Sequence, residues 1–391
     1  TKLANKSHNF WFNALEQILT FSSLCNCKTT AAMLFRNISL YLLFLSSAAA
    51  AGSLRAPVEA EGEGCPHMKL FKAWSETHGK EYGSDEAIKE RMKIWLENDK
   101  RIEAHNNQEP KPSYLLGHNE FSDMTQEEFH QQFNLGKFSN AEFAKLSAQE
   151  RLSSNFKTMD ARHLVEDRPA EVNWIALGGV TPVKNQGACG SCWAFSTTGA
   201  LEGALFINTG ELVTLSEQNL LDCDHKDLGC NGGLMDNAFK FSEKSGGLCS
   251  EEDYPYEAKQ GAVCNPTSCV DVPGSEVSTF YDVPPSDPDA LMAAISMQPI
   301  SIAIQADQFA FQFYKTGVLT DDSCGSRGQI DHGVLAAGYG TDPETNEPYW
   351  LVKNSWGETW GENGYIRMSR NSQNEWGMCA ILKMASYPEV Q

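Results

Sequence analysis

The sequence has little positive charge for its length. Its 391 residues carry 31 Lys and Arg against 51 Asp and Glu, a formal net charge of −20 at pH 7. Such a chain repels the phosphates of nucleic acids and the headgroups of anionic membranes. We therefore expect neither nucleic acid nor a membrane as a partner. The apolar share of 41% is ordinary for globular protein.

Apolar runs long enough to span a bilayer are also missing. The run Ile38–Ala51 has about 14 residues, fewer than the roughly 20 that a membrane-spanning helix needs. Met33 and a basic residue precede the run, and small residues end it, as in a cleaved signal peptide. The sequence predicts a signal peptide over residues 33–52 and an unassigned extension over 1–32. Residues 53–67 are predicted to be a spacer.

The 12 cysteines lack the paired C-x2-C spacing of a structural zinc site. We therefore expect no metal and no cofactor. Disulfide bonds formed in an oxidising compartment are the better explanation for so many cysteines. Nine of them lie from Cys189 onward, so one thiol stays free if the others pair.

One motif identifies the cysteine expected to stay free. Cys192 lies in QGACGSCWAFS, residues 186–196, where a loop turns into a helix-favouring run. A helix N-terminus stabilises a thiolate, and with a cationic neighbour the thiol pKa falls to about 3.5–7.5. An arbitrary cysteine is more often structural. This stretch, however, resembles the active-site motif C-G-[SA]-C-[WY] of the papain-like cysteine proteases, cathepsin L type.

The resemblance covers residues 68–391. It implies an α+β, papain-like fold with a helical left lobe, a β-barrel right lobe and an active cleft between them. The sequence pattern agrees, because helix-favouring segments follow Cys192 and strand-like runs dominate beyond Pro284. The peptidase domain is predicted over residues 168–391, after an exposed tether over 136–167.

Residues 68–135 resemble the inhibitory propeptide of cathepsin L-like enzymes. Such a propeptide is expected to lie through the cleft in the non-productive direction and to loosen when its carboxylates are protonated in acid. The ERFNIN motif departs from the family pattern at Ala87 and Trp95, whereas the GNFD motif is complete. The ERFNIN positions are Arg91, Ile94, Trp95, Asn98, Ile102 and Asn106, and the GNFD positions are Gly117, Asn119, Phe121 and Asp123.

The expected chemistry needs a base beside the thiolate. Histidine suits this task, and His332 begins a strand-like segment 140 residues after Cys192, a separation typical of the family. A lone histidine at a strand edge is more often structural, but the cysteine motif makes His332 the favoured base. Asn354 is predicted to fix the imidazole tautomer. The resemblance assigns the oxyanion donors to the Gln186 side chain and the Cys192 backbone N–H.

The resemblance also implies a substrate-binding surface of small and apolar residues. Glycines there let a substrate backbone approach closely. The pocket for the side chain two residues before the scissile bond is predicted to accept Leu or Phe and to accept Arg poorly. The implied substrate-binding residues are Gly232, Gly233, Leu234, Met235, Ala303, Asp331, Gly333, Trp356 and Met384.

Three disulfide bonds follow from the resemblance, each worth on the order of 2–4 kcal/mol. They pair Cys189 with Cys230, Cys223 with Cys264, and Cys324 with Cys379. Cys249 and Cys269 lie outside the usual pattern, and the odd cysteine count suggests a fourth bridge between them.

The predicted function is that of a cysteine endopeptidase made as an acid-activated zymogen. Its partners would be polypeptide substrates and its own propeptide, and we expect a monomer of the secretory pathway, in a lysosome or vacuole or outside the cell. One alternative is a catalytically silent, peptide-binding homologue. Another is acyl transfer to amines, as in transglutaminases, which Asn354 and the propeptide disfavour. The sequence lacks the His-rich insertion that would indicate a dipeptide-releasing enzyme, so an endopeptidase is favoured.

Overall fold

The computed structural model describes residues 66–133, 168–261, 263–265 and 269–391. The predicted signal peptide, nearly all of the spacer and the tether lie outside the described residues. The chain divides into two compact units. The first ends at Asn98, and the second begins at Asp99.

The first unit is built around aromatic side chains. Helix α1 spans Pro66–Thr77, and helix α2 spans Asp85–Asn106 and continues into the second unit. Phe71 and Trp74 stack with ring centroids 5.8 Å apart, and Trp95 contacts both rings. The Trp95 side chain, a departure from the ERFNIN pattern, is therefore part of this small core.

The second unit contains the remaining described helices. Helix α4 is its centre, because every residue from Trp193 to Leu205 is buried. The helix ends at Gly210, whose φ of 79° is the left-handed conformation that glycine adopts most easily. The helices are α3 (Gln126–Gln132), α4 (Cys192–Thr209), α5 (Glu217–Cys223), α6 (Met235–Ser245), α7 (Pro288–Met297) and α8 (Phe309–Gln312), with short 3-10 turns at Gly229–Asn231 and Met378–Ala380.

A sheet of nine described strands forms the other layer. Its order is β1-β5-β8-β7-β6-β4-β9-β3, with β2 paired to β6, and every pair is antiparallel except β5 with β8. The strands are β1 (Tyr114–Leu116), β2 (Val172–Asn173), β3 (Val277–Asp282), β4 (Ile300–Ile304), β5 (Tyr314–Leu319), β6 (His332–Thr341), β7 (Pro348–Lys353), β8 (Tyr365–Ser369) and β9 (Met384–Val390).

Two large hydrophobic cores lie within the second unit. One core surrounds α4 and contains the buried side chains of Trp193, Leu220 and Phe239. The other lies against the sheet and contains Phe311, Trp350 and other aromatic side chains. Most helices lie before residue 246 and most strands after it, which confirms the predicted α+β class.

The propeptide extends the sheet by one strand. Tyr114 of β1 pairs with Gly317 of β5, and the Asn106 side chain bonds both backbone groups of Leu116. Gly317 has φ of 95°, and a Cβ there would lie 2.4 Å from the Ser113 carbonyl oxygen. A glycine is therefore required for this strand to approach.

Four disulfide bonds cross-link the described part of the peptidase. They join Cys189 to Cys230, Cys223 to Cys264, Cys249 to Cys269, and Cys324 to Cys379. The three bridges implied by the resemblance and the fourth suggested by parity are all present. No helix among the described residues is sufficiently long and apolar to cross a membrane.

Candidate active site

Cys192 begins helix α4, directly after the bridged Cys189 and the turn that follows it. Its thiol is the one unbridged cysteine among the described residues. Burial raises the pKa of this thiol to about 11, and the Asp331 carboxylate acts in the same direction. Backbone N–H groups at Gly333 and Trp193 favour the thiolate, but their effect is smaller.

His332 is the first residue of β6 and is buried. Its Nε2 atom lies 2.8 Å from Oδ1 of Asn354, and its ring stacks on Trp356 with centroids 4.8 Å apart. Its Nδ1 atom has no hydrogen-bond partner among the described residues. Since Asn354 engages Nε2, Nδ1 is the nitrogen available to a group in the cavity that His332 shares with Cys192.

Burial also lowers the pKa of His332 to about 4, although the hydrogen bond that its ring donates to Asn354 opposes the shift. Both shifts act against a thiolate–imidazolium pair in this structure. The expected low thiol pKa is not met here, because the loss of solvent outweighs the helix N-terminus and its N–H groups. Phe133 of the propeptide lines the same cavity as both side chains.

Gln186 is fully buried and rigidly held. Its Nε2 donates to the carbonyl oxygen of Cys189 at 2.8 Å, and its Oε1 accepts from the Ser355 hydroxyl at 2.7 Å. The Tyr256 hydroxyl donates to the backbone carbonyl of Gln186 at 2.8 Å. These contacts fix which amide atom is the nitrogen, and they use one of its two N–H groups. Gln186 does not line the cavity that holds Cys192 and His332.

Sequence reasoning missed these supports. Ser355 follows Asn354 directly in the KNSWG stretch, so the motif that identified Asn354 could also have identified Ser355. Tyr256 lies 70 residues beyond Gln186, and nothing in the sequence pointed to it.

A cavity beside Cys192 collects eight of the nine predicted substrate-binding residues. Gly233 lies against Trp193 so closely that a Cβ would approach its ring to 2.4 Å. Trp356 does not line this cavity and instead packs behind His332. Gly190, Trp193 and Ile330 line it although they were not predicted. The eight are Gly232, Gly233, Leu234, Met235, Ala303, Asp331, Gly333 and Met384.

An aromatic cluster of the propeptide covers Trp356. Phe121, Phe129 and Phe133 each place their ring centroids 5.2–5.7 Å from that of Trp356. Asn119 of the GNFD motif anchors the cluster by donating to the Gln312 carbonyl at 2.7 Å. The propeptide motif thus lies against the tryptophan that supports His332.

Comparisons with known proteins agree with this arrangement. Residues 168–389 match the family model described as papain family cysteine protease, and residues 71–129 match the cathepsin propeptide inhibitor domain (I29). Procathepsin L of Felis catus is 44% identical over 328 residues, 82% of this chain and 92% of the relative. Cathepsin L2 of Homo sapiens is 44% identical over 326 residues, 81% and 91% of the two chains.

A solved structure shares the fold along most of the chain. The proform of the Amb a 11 cysteine protease, a ragweed pollen allergen, is 38% identical with a TM-score of 0.73, covering 83% of this chain and 95% of that one. The chain therefore belongs to the papain family of cysteine proteases, as a cathepsin L-like endopeptidase zymogen that carries its own inhibitory propeptide.

Proposed function

We propose that Cys192, His332, Asn354 and Gln186 carry out peptide hydrolysis. The Cys192 thiolate attacks the substrate carbonyl, and His332 gives its proton to the departing amine. Water, deprotonated by His332, then hydrolyses the thioester and restores the thiol. The hydrogen bond between His332 Nε2 and Asn354 Oδ1 is the observation that carries this proposal, because it directs Nδ1 to the cavity of Cys192.

The oxyanion of each tetrahedral intermediate needs fixed donors. The Gln186 amide, held by Ser355 and by the Cys189 carbonyl, and the backbone N–H of Cys192 supply them. Losing one such donor costs about 2.7–4 kcal/mol of barrier. A Gln186→Ala variant is therefore expected to lose about a hundredfold or more in kcat.

The cavity supports a preference for bulky apolar side chains two residues before the scissile bond. Leu234, Met235, Ala303 and Met384 present apolar surface to the described cavity. Dipeptide fluorogenic substrates with Leu or Phe at that position should show higher kcat/KM than the Arg analogue. A preference for Arg would contradict the pocket assignment.

We infer that acid releases the propeptide. Its described part carries carboxylates in specific contacts, such as Asp99 with His118 at 3.0 Å and Glu128 in the capping box of α3. Protonating such groups removes the hydrogen-bond acceptors that hold the segment. Incubation of the proform at about pH 4–5 should yield a shorter, active species, whereas a proform inert throughout acid pH would contradict self-activation.

We also propose where the chain is cleaved during maturation and in which compartment the protein resides. Maturation is expected within a few residues of Arg168, after the propeptide at 68–135 and the tether at 136–167. A monomer of the secretory pathway, lysosomal, vacuolar or extracellular, fits the four disulfide bonds, which need an oxidising compartment to form. N-terminal sequencing and gel filtration of the acid-processed species test these points.

The central experiment replaces the proposed pair. Cys192→Ser and His332→Ala should abolish casein hydrolysis while thermal unfolding stays close to that of the wild type. His225→Ala is the matched control, since His225 is exposed and does not line the cavity of Cys192. Near-normal hydrolysis by either active-site variant would refute the proposal.

A further inference from the structure

Part of the substrate-binding surface is tied to a buried carboxyl group. The loop between α5 and α6 carries Gly232, Gly233 and Leu234 into the cavity of Cys192. Asp227 lies at the base of this loop, and its Oδ1 accepts from the Leu234 backbone N–H and from Nδ2 of Asn237, each at 3.0 Å. Asp227 therefore joins the substrate-binding segment to the first turn of α6.

A second carboxyl group, that of Asp224, lies beside the Asp227 side chain. Asp224 and Asp227 are only 3% and 5% exposed, and their side chains are within hydrogen-bonding reach of each other. Oδ2 of each residue is buried and has no donor among the described residues. Two ionised carboxylates repel each other, and a buried acceptor without a donor costs about 1–3 kcal/mol. A proton between the two oxygens removes both penalties.

We propose that Asp227 keeps a proton in the folded enzyme and donates it to a carboxyl oxygen of Asp224, and that this hydrogen bond positions the segment Gly232–Leu234 for substrate binding. Asp227 is thus a positioning residue, since it touches neither substrate nor the reacting atoms. The inference rests on the proposed protease function and adds a pH-dependent element to its substrate site.

Each carboxyl group of the pair has one engaged oxygen, because Oδ1 of Asp224 accepts from the Lys226 backbone N–H at 2.9 Å and Oδ1 of Asp227 accepts from Leu234 and Asn237. His225 and Lys226 belong to the same loop and are exposed. From α5, Asp222 is engaged by Gln218 and Tyr254. Other charged groups of the neighbouring elements are directed elsewhere: Asp236 of α6 accepts from Ser386, and Lys259 pairs with Glu257.

Burial, reinforced by the neighbouring Asp224, raises the pKa of Asp227 well above its usual range. The folded enzyme therefore keeps a proton that the unfolded chain releases above about pH 4. The stability that this proton gives is complete at low pH and is lost as the pH rises through the raised pKa. Losing it leaves two buried charges beside Gly232–Leu234, so substrate binding weakens while the chemistry at Cys192 and His332 is untouched.

An amide at position 227 separates this proposal from a merely structural role. In Asp227→Asn, the amide oxygen can accept from Leu234 and Asn237, while its nitrogen donates permanently to Asp224. The hydrogen bond then no longer depends on pH. Asp224→Asn makes the same replacement from the other side and serves if the first variant does not fold. Glu257→Gln removes one charge from an exposed position and is the matched control.

The test is the pH dependence of KM and kcat for a Leu-containing dipeptide substrate, with acid-activated enzyme titrated by an active-site epoxide. For wild type and Glu257→Gln, KM should rise on the alkaline side by about tenfold per pH unit beyond the pKa of the pair. For Asp227→Asn, KM should stay near the acid value at least one pH unit further, with the kcat profile unchanged. Profiles that coincide in wild type and both amide variants, or an amide variant with raised KM at every pH, would overturn the proposal. A wild-type enzyme that neither binds the epoxide nor cleaves the substrate would instead refute the proposed function.

Discussion

Removing the propeptide should change the charge state of the catalytic pair. In the proform, burial raises the pKa of the Cys192 thiol to about 11 and lowers that of His332 to about 4. Phe133 lines the cavity that holds both groups. When the propeptide leaves, water returns to the cavity, and the helix N-terminus and the protonated imidazole can stabilise a thiolate.

The size of the change follows from the two pKa values. A thiol with a pKa of about 11 is ionised in only about one molecule in 10⁵ at pH 6. A thiol paired with a cation and placed at a helix N-terminus titrates between about 3.5 and 7.5, so at least about 3% is thiolate at pH 6. Since only the thiolate is alkylated, the mature enzyme should react at least about a thousandfold faster.

Alkylation by iodoacetamide from pH 6 to pH 9 measures this difference. The alkylation rate of the proform should rise about tenfold per pH unit from pH 6 to pH 9, because the pKa of its Cys192 thiol lies above this range. The mature rate should be nearly independent of pH above its own transition. Steric blocking by the propeptide would lower the proform rate without changing that slope. A proform with a flat profile, or a mature enzyme with the steep one, would refute the reasoning.

Three further predictions concern contacts other than those of the Cys192 thiol. Phe129→Ala in the proform should cost about 3 kcal/mol or more of the packing on Trp356 and raise basal hydrolysis at pH 7 about a hundredfold, measured on a dipeptide substrate. Burial raises the pKa of Glu217 to about 7, so stability present below pH 4.5 should decline as the pH rises towards 7; melting curves should show this decline, and Glu217→Gln should reduce it. Replacing both Cys249 and Cys269 by Ser removes their bridge and should lower the free energy of unfolding by about 3 kcal/mol, measured by chemical denaturation. The denatured wild-type mature enzyme should contain one free thiol.

The sequence predicted the helical and sheet layers because their signals are local. The buried run after Cys192 and the β-rich runs beyond Pro284 each appear in a single stretch. The pairing of His332 with Asn354 was also predictable from motif spacing, and a hydrogen bond at 2.8 Å joins the two side chains.

What the sequence did not reveal depends on distant contacts. Tyr256 supports Gln186 across 70 residues, a contact that no motif marks. The expected low thiol pKa assumed an open cleft, whereas Phe133 lies at the cavity in the proform. Burial decides each of these cases, and burial depends on which segments meet in space.

The most direct measurement is the mass of the acid-processed enzyme after reaction with an active-site epoxide. We predict one covalent adduct per chain, on the peptide that contains Cys192, formed in proportion to the loss of casein hydrolysis. The His332→Ala variant should form little adduct at pH 6. Full inhibition without modification of Cys192, or an unchanged labelling rate in the His332 variant, would contradict the account.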